Sequence, residues 1–300
     1  MKEKHMLGRE VIMSTTALIF ALAIAGCGGA KMTPAPGLTG IAGNVIAQGS
    51  DPSSTTFVYV VDTSTNKLYV YPGGVNNPAP IRSVTPADKP HAVVTDAAGN
   101  VYVSSTESGE IEVYASGATS LLYTITGLNH PQALTIDGNG NLYSADVNAS
   151  VITEFAPGGT TPIATFATNA APLGGVAVDS NGTVYVDETG GVIEACNPTC
   201  ATLPGVTGPS SATGGLAFTG TTLNVAGGRV VAHYDTSTWT LTGSTTYGGG
   251  IGVVRFITAA GGVLSVPFAS SSLAPSAVYV SSGQTITNSL HVPYGAAIGP

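Results

Sequence analysis

Charge is what this sequence has least of. Asp, Glu, Lys and Arg together make up 9% of its 300 residues, and only 9 of these are Lys or Arg against 17 Asp and Glu. No basic stretch exists for a nucleic-acid backbone, an anionic lipid or a phosphate polymer, so the composition excludes nucleic acid and leaves cations and neutral ligands. Helical runs are missing as well. With 40 Gly and 19 Pro and no amphipathic 3.6-residue period after residue 30, the expected class is all-β. Catalytic motifs are equally scarce: there is no Gly-x-Ser-x-Gly elbow and no phosphate-cradling loop ahead of a helix, and of the 5 His only His91 and His130 fall at blade entries, fewer than a zinc site asks for. Cysteine occurs three times, at positions 27, 196 and 200.

The N-terminus carries the one long apolar run. Lys2, Lys4 and Arg9 precede the uncharged stretch 11–26, VIMSTTALIFALAIAG, which reads as a secretory signal over residues 1–26. Its end, Ile24-Ala25-Gly26-Cys27, resembles the lipobox of bacterial lipoproteins. The resemblance implies that Cys27 carries a diacylglycerol and an N-acyl chain, enough for stable attachment where a single chain is not. Residues 27–50 then serve as a flexible Gly/Pro/Ser-rich tether. The implied location is the cell envelope, and Gly28 in place of an inner-membrane retention Asp points to the outer membrane. With 1–26 removed, six basic residues face fifteen acidic ones.

From 51 to 300 the chain repeats itself. Tyr59, Tyr102, Tyr143 and Tyr185 hold the centre of a short β-branched strand, with Asn224 and Leu264 at the same place in two weaker copies, a period of about 41 residues. The clearest copy, residues 130–168, contains four strand-length apolar runs, 133–136, 141–145, 151–155 and 162–166, separated by Asp137-Gly138-Asn139-Gly140-Asn141 and Pro157-Gly158-Gly159 turns. Six copies of a four-stranded antiparallel meander specify a closed six-bladed β-propeller, because radial closure protects the edges. First strands are expected at 91–96, 133–137, 175–179, 215–220 and 252–258. The first copy lacks its own, and residues 292–300 repeat the first-strand pattern, so the C-terminal strand is expected to close the ring.

Copies two to four, typified by Pro90-His91-Ala92-Val93-Val94-Thr95-Asp96-Ala97-Ala98-Gly99-Asn100-Val101-Tyr102-Val103, resemble NHL repeats. The resemblance covers 57–208 well and 209–300 loosely, since copies five and six have no Asp-x-x-Gly-Asn turn. In such a ring the loops leading into first strands and those joining second to third strands share one face around the channel. That face is the expected binding surface. It collects His91, His130, Gln132, Leu173 and Tyr294, with Asp62, Glu107, Asp146, Asp187 and Glu188 from the other loops.

Asp62, Asp146 and Glu188 stand three residues after the register position. They are either Ca²⁺-type oxygen ligands converging from several blades or turn-capping acids of their own blades, and no cofactor is otherwise expected. His91 and His130 are either a functional pair or surface loop histidines, and His233 and His291 belong to outer strands. Cys196 and Cys200 flank a three-residue turn and form a local disulfide in an exported domain, or else a redox or metal pair.

The leading expectation is a non-catalytic, monomeric envelope module that binds a small ligand or an envelope protein through the channel face, touching membrane only through its anchor. A metal-dependent lactonase or lyase-type propeller, or a purely structural envelope protein, are the rival readings. The enzyme reading needs a metal or an acid/base group in the channel.

Overall fold

The computed structural model of the chain describes residues 56–169, 173–188, 190–209, 214–248, 251–270 and 276–300. Cys27, the signal segment 1–26 and the tether 27–50 lie outside the described residues. The ring belongs to the compact unit Gly49–Pro300.

Turn chemistry and alternation produce six sheets. Blade one contributes β1 (Phe57–Asp62), β2 (Lys67–Pro72) and β3 (Arg82–Val84). Blade two is β4 (Pro90–Thr95), β5 (Val101–Ser105), β6 (Glu110–Tyr114) and β7 (Leu121–Ile125). Blade three is β8 (Pro131–Ile136), β9 (Leu142–Asp146), β10 (Val151–Phe155) and β11 (Pro162–Ala167). Blade four is β12 (Leu173–Val178), β13 (Val184–Glu188), β14 (Val192–Cys196) and β15 (Cys200–Thr207). Blade five is β16 (Leu216–Thr219), β17 (Thr222–Gly227), β18 (Val230–Asp235) and β19 (Thr240–Thr246). Blade six is β20 (Gly252–Val254), β21 (Thr258–Ala260), β22 (Val263–Ser270), β23 (Ala277–Val280) and β24 (Thr285–Ile286). The last strand, β25 (Pro293–Gly299), pairs antiparallel with β1 and supplies the inner strand of blade one. Closure by the C-terminal strand is therefore as the repeat count requires.

The repeat tyrosines explain how the blades stack. Each interface between neighbouring blades holds one apolar cluster, for example Tyr59, Leu68 and Val70 of blade one against Val93, Val101 and Val103 of blade two. Tyr102, Tyr143 and Tyr185 fill the corresponding gaps further round the ring. The hydroxyls of Tyr102 and Tyr185 donate to Asp96 and Asp179 of the first hairpin turns, at 3.2 and 3.1 Å, and that of Tyr143 lies between Glu154 Oε1 at 2.9 Å and Asp137 Oδ2 at 3.4 Å. Those same Asp carboxylates accept N–H groups within their own turns, as Asp96 does from Asn100 at 2.8 Å. The Asp-x-x-Gly turn, closed by Asn100, Asn141 or Thr183, thus anchors its hairpin and meets the core tyrosine.

Two expectations need correction. The first strand expected at 252–258 is broken into β20 and β21: Arg255 N–H still bonds Pro267 O of β22, but Phe256 N–H turns away to Tyr294 O, each at 2.9 Å. Phe256 then forms a parallel bridge with Gly295 of blade one. His291 is not in an outer strand: it sits in the loop before β25, where its N–H donates to Asp62 Oδ2 at 2.6 Å. His233 does lie in a third strand, β18.

Cys196 and Cys200 face one another across β14 and β15 and are disulfide-bonded, with Cα atoms 3.9 Å apart. A loop so short contributes about 2 kcal/mol on a chain-entropy treatment, enough to pin one hairpin.

Inner strands meet backbone to backbone near the axis. A Cβ on Gly175 would lie 2.3 Å from Gly215 Cα, and one on Gly295 would lie 2.7 Å from His91 O. Neither neighbour is a side chain that can move aside. Gly175→Ala is expected to destabilise the ring by about 3 kcal/mol, at the upper end of overpacking effects. Denaturant unfolding with an unchanged midpoint would contradict this packing.

Candidate functional site

Register fixes which residues surround the channel mouth. Val94, Thr135, Ala177, Ala217, Ala259 and Ala297 are the inner-strand partners of the six register positions. Three residues before each stand His91, Gln132, Gly174, Gly214, Phe256 and Tyr294. The mouth is therefore lopsided. Blades six, one and two bring rings to it, while blades four and five bring only glycine.

The rings stack. His91 lies on Tyr294 with centroids 4.6 Å apart and planes 13° from parallel, and Phe256 is 6.2 Å from Tyr294 and 6.4 Å from His91. Phe256 and Tyr294 also pack against Ala133 and Val176, which belong to blades three and four across the ring. They plug the channel: beneath Phe256 only about 10 Å³ remains between Ala92, Ala133, Gly175 and Gly215. Beyond this plug the inner strands diverge around a separate cup of about 110 Å³, lined by Thr95, Thr135, Phe218 and Thr258 among others.

Arg255 stands one residue before Phe256, where blades one, two and three have Pro293, Pro90 and Pro131. Its guanidinium carbon lies 4.5 Å from the Tyr294 ring centroid, a cation–π contact of about 1–2 kcal/mol when partly desolvated. Its Nε is buried without a hydrogen-bond partner among the described residues. A buried, unpartnered charged donor is costly, so this atom is primed for an acceptor.

His91 is held in one tautomer. Thr106 Oγ1 donates its only proton to Pro131 O at 3.0 Å, so at 2.9 Å from His91 Nδ1 it must accept. Nδ1 therefore carries the hydrogen and Nε2 keeps its lone pair. Burial, with the charges of Arg255, Lys89 and His130, lowers the imidazole pKa to about 4, so the ring is neutral at pH 7. The described propeller contains five basic side chains, Lys67, Arg82, Lys89, Arg229 and Arg255, and two of them act on His91.

The candidate acids do other work. Asp62 is fully buried. Its Oδ1 accepts the N–H groups of Ser64 and Thr65, each at 3.1 Å, and its Oδ2 accepts those of His291 and Val292 at 2.6 and 2.8 Å. Asp146 accepts Asn129 N–H at 3.1 Å and Ser144 Oγ–H at 3.0 Å, and burial raises its pKa against these donors and the charge of His130. Both are turn and loop anchors. Glu188 is buried at the end of β13, and Glu107 forms an exposed ion pair with Lys89, of little energetic weight. His130 precedes β8 with φ 61°, and Gln132 is its half-buried neighbour on β8. Among the described residues, no three His, Cys, Asp or Glu side chains come together as metal ligands.

Asp187, also expected on this face, differs from the other acids. It is wholly enclosed, and burial pushes its pKa up to about 7 although the N–H groups of Gly215, Gly175 and Gly214 favour its charged form. Its Oδ1 has no partner among the described residues.

Of the mouth group, His91 and Tyr294 are readable from the repeat, whereas Phe256 and Arg255 are not. The signal for them is the register itself, since Phe256 lies 42 residues after Gly214, but the broken strand of blade six obscures it.

No family model matches this chain, and no curated protein matches it. Solved structures do. A protein of unknown function from Bacteroides caccae superposes with a TM-score of 0.66 at 14% identity, over 82% of this chain and 99% of that one. A chain of a Nidogen/Laminin complex superposes with a TM-score of 0.60 at 16% identity, over 82% and 98%. Hydrazine synthase from Kuenenia stuttgartiensis gives 0.50 at 12% identity, over 65% of this chain and 64% of that one. At such identities the likeness is one of fold alone: the six-bladed, four-stranded propeller of this chain superposes on the first two over 82% of its length.

Proposed function

We propose that this chain is a non-catalytic binding module that takes a carboxylate-bearing ligand at the channel mouth, held at the cell envelope through lipid on Cys27. Arg255 carries the reading. Its partnerless Nε marks an unsatisfied charged donor, the half-buried Tyr294 ring lies beside it, and the neutral His91 Nε2 accepts a hydrogen bond from the ligand's remaining polar edge. The Ile24-Ala25-Gly26-Cys27 sequence supports the placement of such a module outside the cytoplasm.

Benzoate, a flat ring bearing one carboxylate, is a direct probe. Calorimetric titration of the full chain is expected to give saturable binding that Arg255→Ala weakens at least tenfold, the loss of one charge-assisted hydrogen bond. Equal binding by the variant and the unmodified chain would refute the site.

A further inference from the structure

Blade five breaks the tyrosine rule, and space opens where it does. In blades one to four a tyrosine fills the gap to the next blade; in blade five the same position is Asn224. The shorter side chain leaves a groove of about 440 Å³ between blades five and six, within the range of about 300–1,000 Å³ of small-molecule pockets. The first hairpin turn of blade five also lacks the Asp that the tyrosine hydroxyl meets in blades two to four. Asn224 Nδ2 donates instead to Ala217 O at 3.0 Å and Thr219 Oγ1 at 2.9 Å.

Hydrogen bonds order this wall. With Nδ2 donating, Asn224 Oδ1 accepts His233 Nδ1–H at 2.8 Å, which leaves Nε2 to accept from Thr245 Oγ1 at 2.9 Å. Thr242 Oγ1 is tied to His233 O at 2.9 Å. Each threonine oxygen keeps lone pairs for a ligand. The groove is lined by Thr222, Thr242, Thr245 and Ser281 hydroxyls, with Leu264 and the ring of Tyr247, itself packed on Tyr279 at 5.4 Å.

Among the described residues no Asp, Glu, Lys or Arg lines it, and burial lowers the His233 pKa and raises that of Tyr247, so both are neutral at pH 7. An ion entering would lose water without gaining a counter-charge. A purely apolar ligand would cover the free lone pairs of these hydroxyls without giving them a donor. What fits is a molecule with hydroxyls on its rim and C–H surface on its face.

The geometry points to a second ligand site, for a neutral sugar unit, in the groove between blades five and six. It does not depend on the mouth reading.

Threonine methyl groups report on it directly. In the full chain, NMR titration with maltotriose and with N-acetylchitotriose is expected to shift the Thr219, Thr222, Thr242 and Thr245 methyls saturably with at least one sugar. Asn224→Tyr restores the residue of the other blades, fills the groove and is expected to weaken binding at least tenfold. Thr245→Val, a near-isosteric change, is expected to weaken it by roughly tenfold, and it decides the matter if the tyrosine variant fails to fold. Arg255→Ala should leave sugar binding unchanged. Failure of both sugars to move these methyls would overturn the proposal, as would undiminished binding by a folded Asn224→Tyr chain or by Thr245→Val.

Discussion

Deletion of residues 293–300 is expected to abolish cooperative unfolding at 25 °C, the largest effect of any change considered. The segment is the whole inner strand of blade one, paired with β1 from Phe57↔Gly299 to Asp62↔Pro293. It also joins three blades: Thr95 Oγ1 donates to Ile298 O at 2.8 Å, Ser116 Oγ and Tyr59 OH donate to Pro300 O at 2.6 and 3.2 Å, and Thr258 Oγ1 donates to Ala296 O. Without it, Val58 and Val60 face solvent along an unpaired edge, a template for aggregation. A domain stabilised by about 5–15 kcal/mol cannot lose both closure and one blade's inner strand. A truncated chain that melted in a single sharp transition near the intact temperature would mean that the ring is closed elsewhere.

Replacing Asp187 by Asn is expected to change the pH dependence of stability by roughly 4 kcal/mol between pH 4 and pH 8. The sign follows from proton binding. In the folded chain burial raises the carboxyl pKa to about 7, whereas the ordinary value is 3.8. Between those values the folded state holds a proton that the unfolded chain has released. Stability from this group is full below pH 3.8 and is lost as pH rises through 7, at about 1.4 kcal/mol per pH unit. His91 acts in the opposite direction: its pKa falls from 6.5 to about 4, so its contribution is full above 6.5 and is lost as pH falls through 4. The two slopes oppose one another in the unmodified chain between pH 4 and 6.5. Subtracting the stability of the unmodified chain from that of Asp187→Asn at each pH removes His91 and isolates the acid. The Asn amide mimics the protonated carboxyl, so the variant should match the parent near pH 4 and exceed it near pH 8. A constant difference across that range, by denaturant unfolding, would show that Asp187 is charged throughout.

The fold was largely legible because its information is local. Tyr59, Tyr102, Tyr143 and Tyr185 mark the second strands, Asp-x-x-Gly-Asn turns mark the first hairpins, and the chain end supplies the strand missing at the start. Blade six was misread because its inner strand is shaped by partners distant in sequence: Phe256 follows Tyr294 O rather than its own sheet. The same limit explains the acids. Asp62 shares its offset with Asp146, but its fate is set by N–H groups of His291 and Val292, more than 220 residues away. Their donors consume carboxylates that spacing alone left available for a cation. Arg255 was hidden for a further reason, since a net charge of −8 says nothing about where single cations gather.

The most direct measurement is ¹⁵N-edited NMR of the arginine Nε–H groups in the full chain during benzoate titration, with Arg255→Lys to assign the signal. Binding at the mouth predicts that the Arg255 Nε–H resonance moves downfield and saturates, while those of Arg82 and Arg229 stay in place. If the Arg255 signal does not move while benzoate binds, or if all arginines drift together without saturation, the channel mouth is not the site.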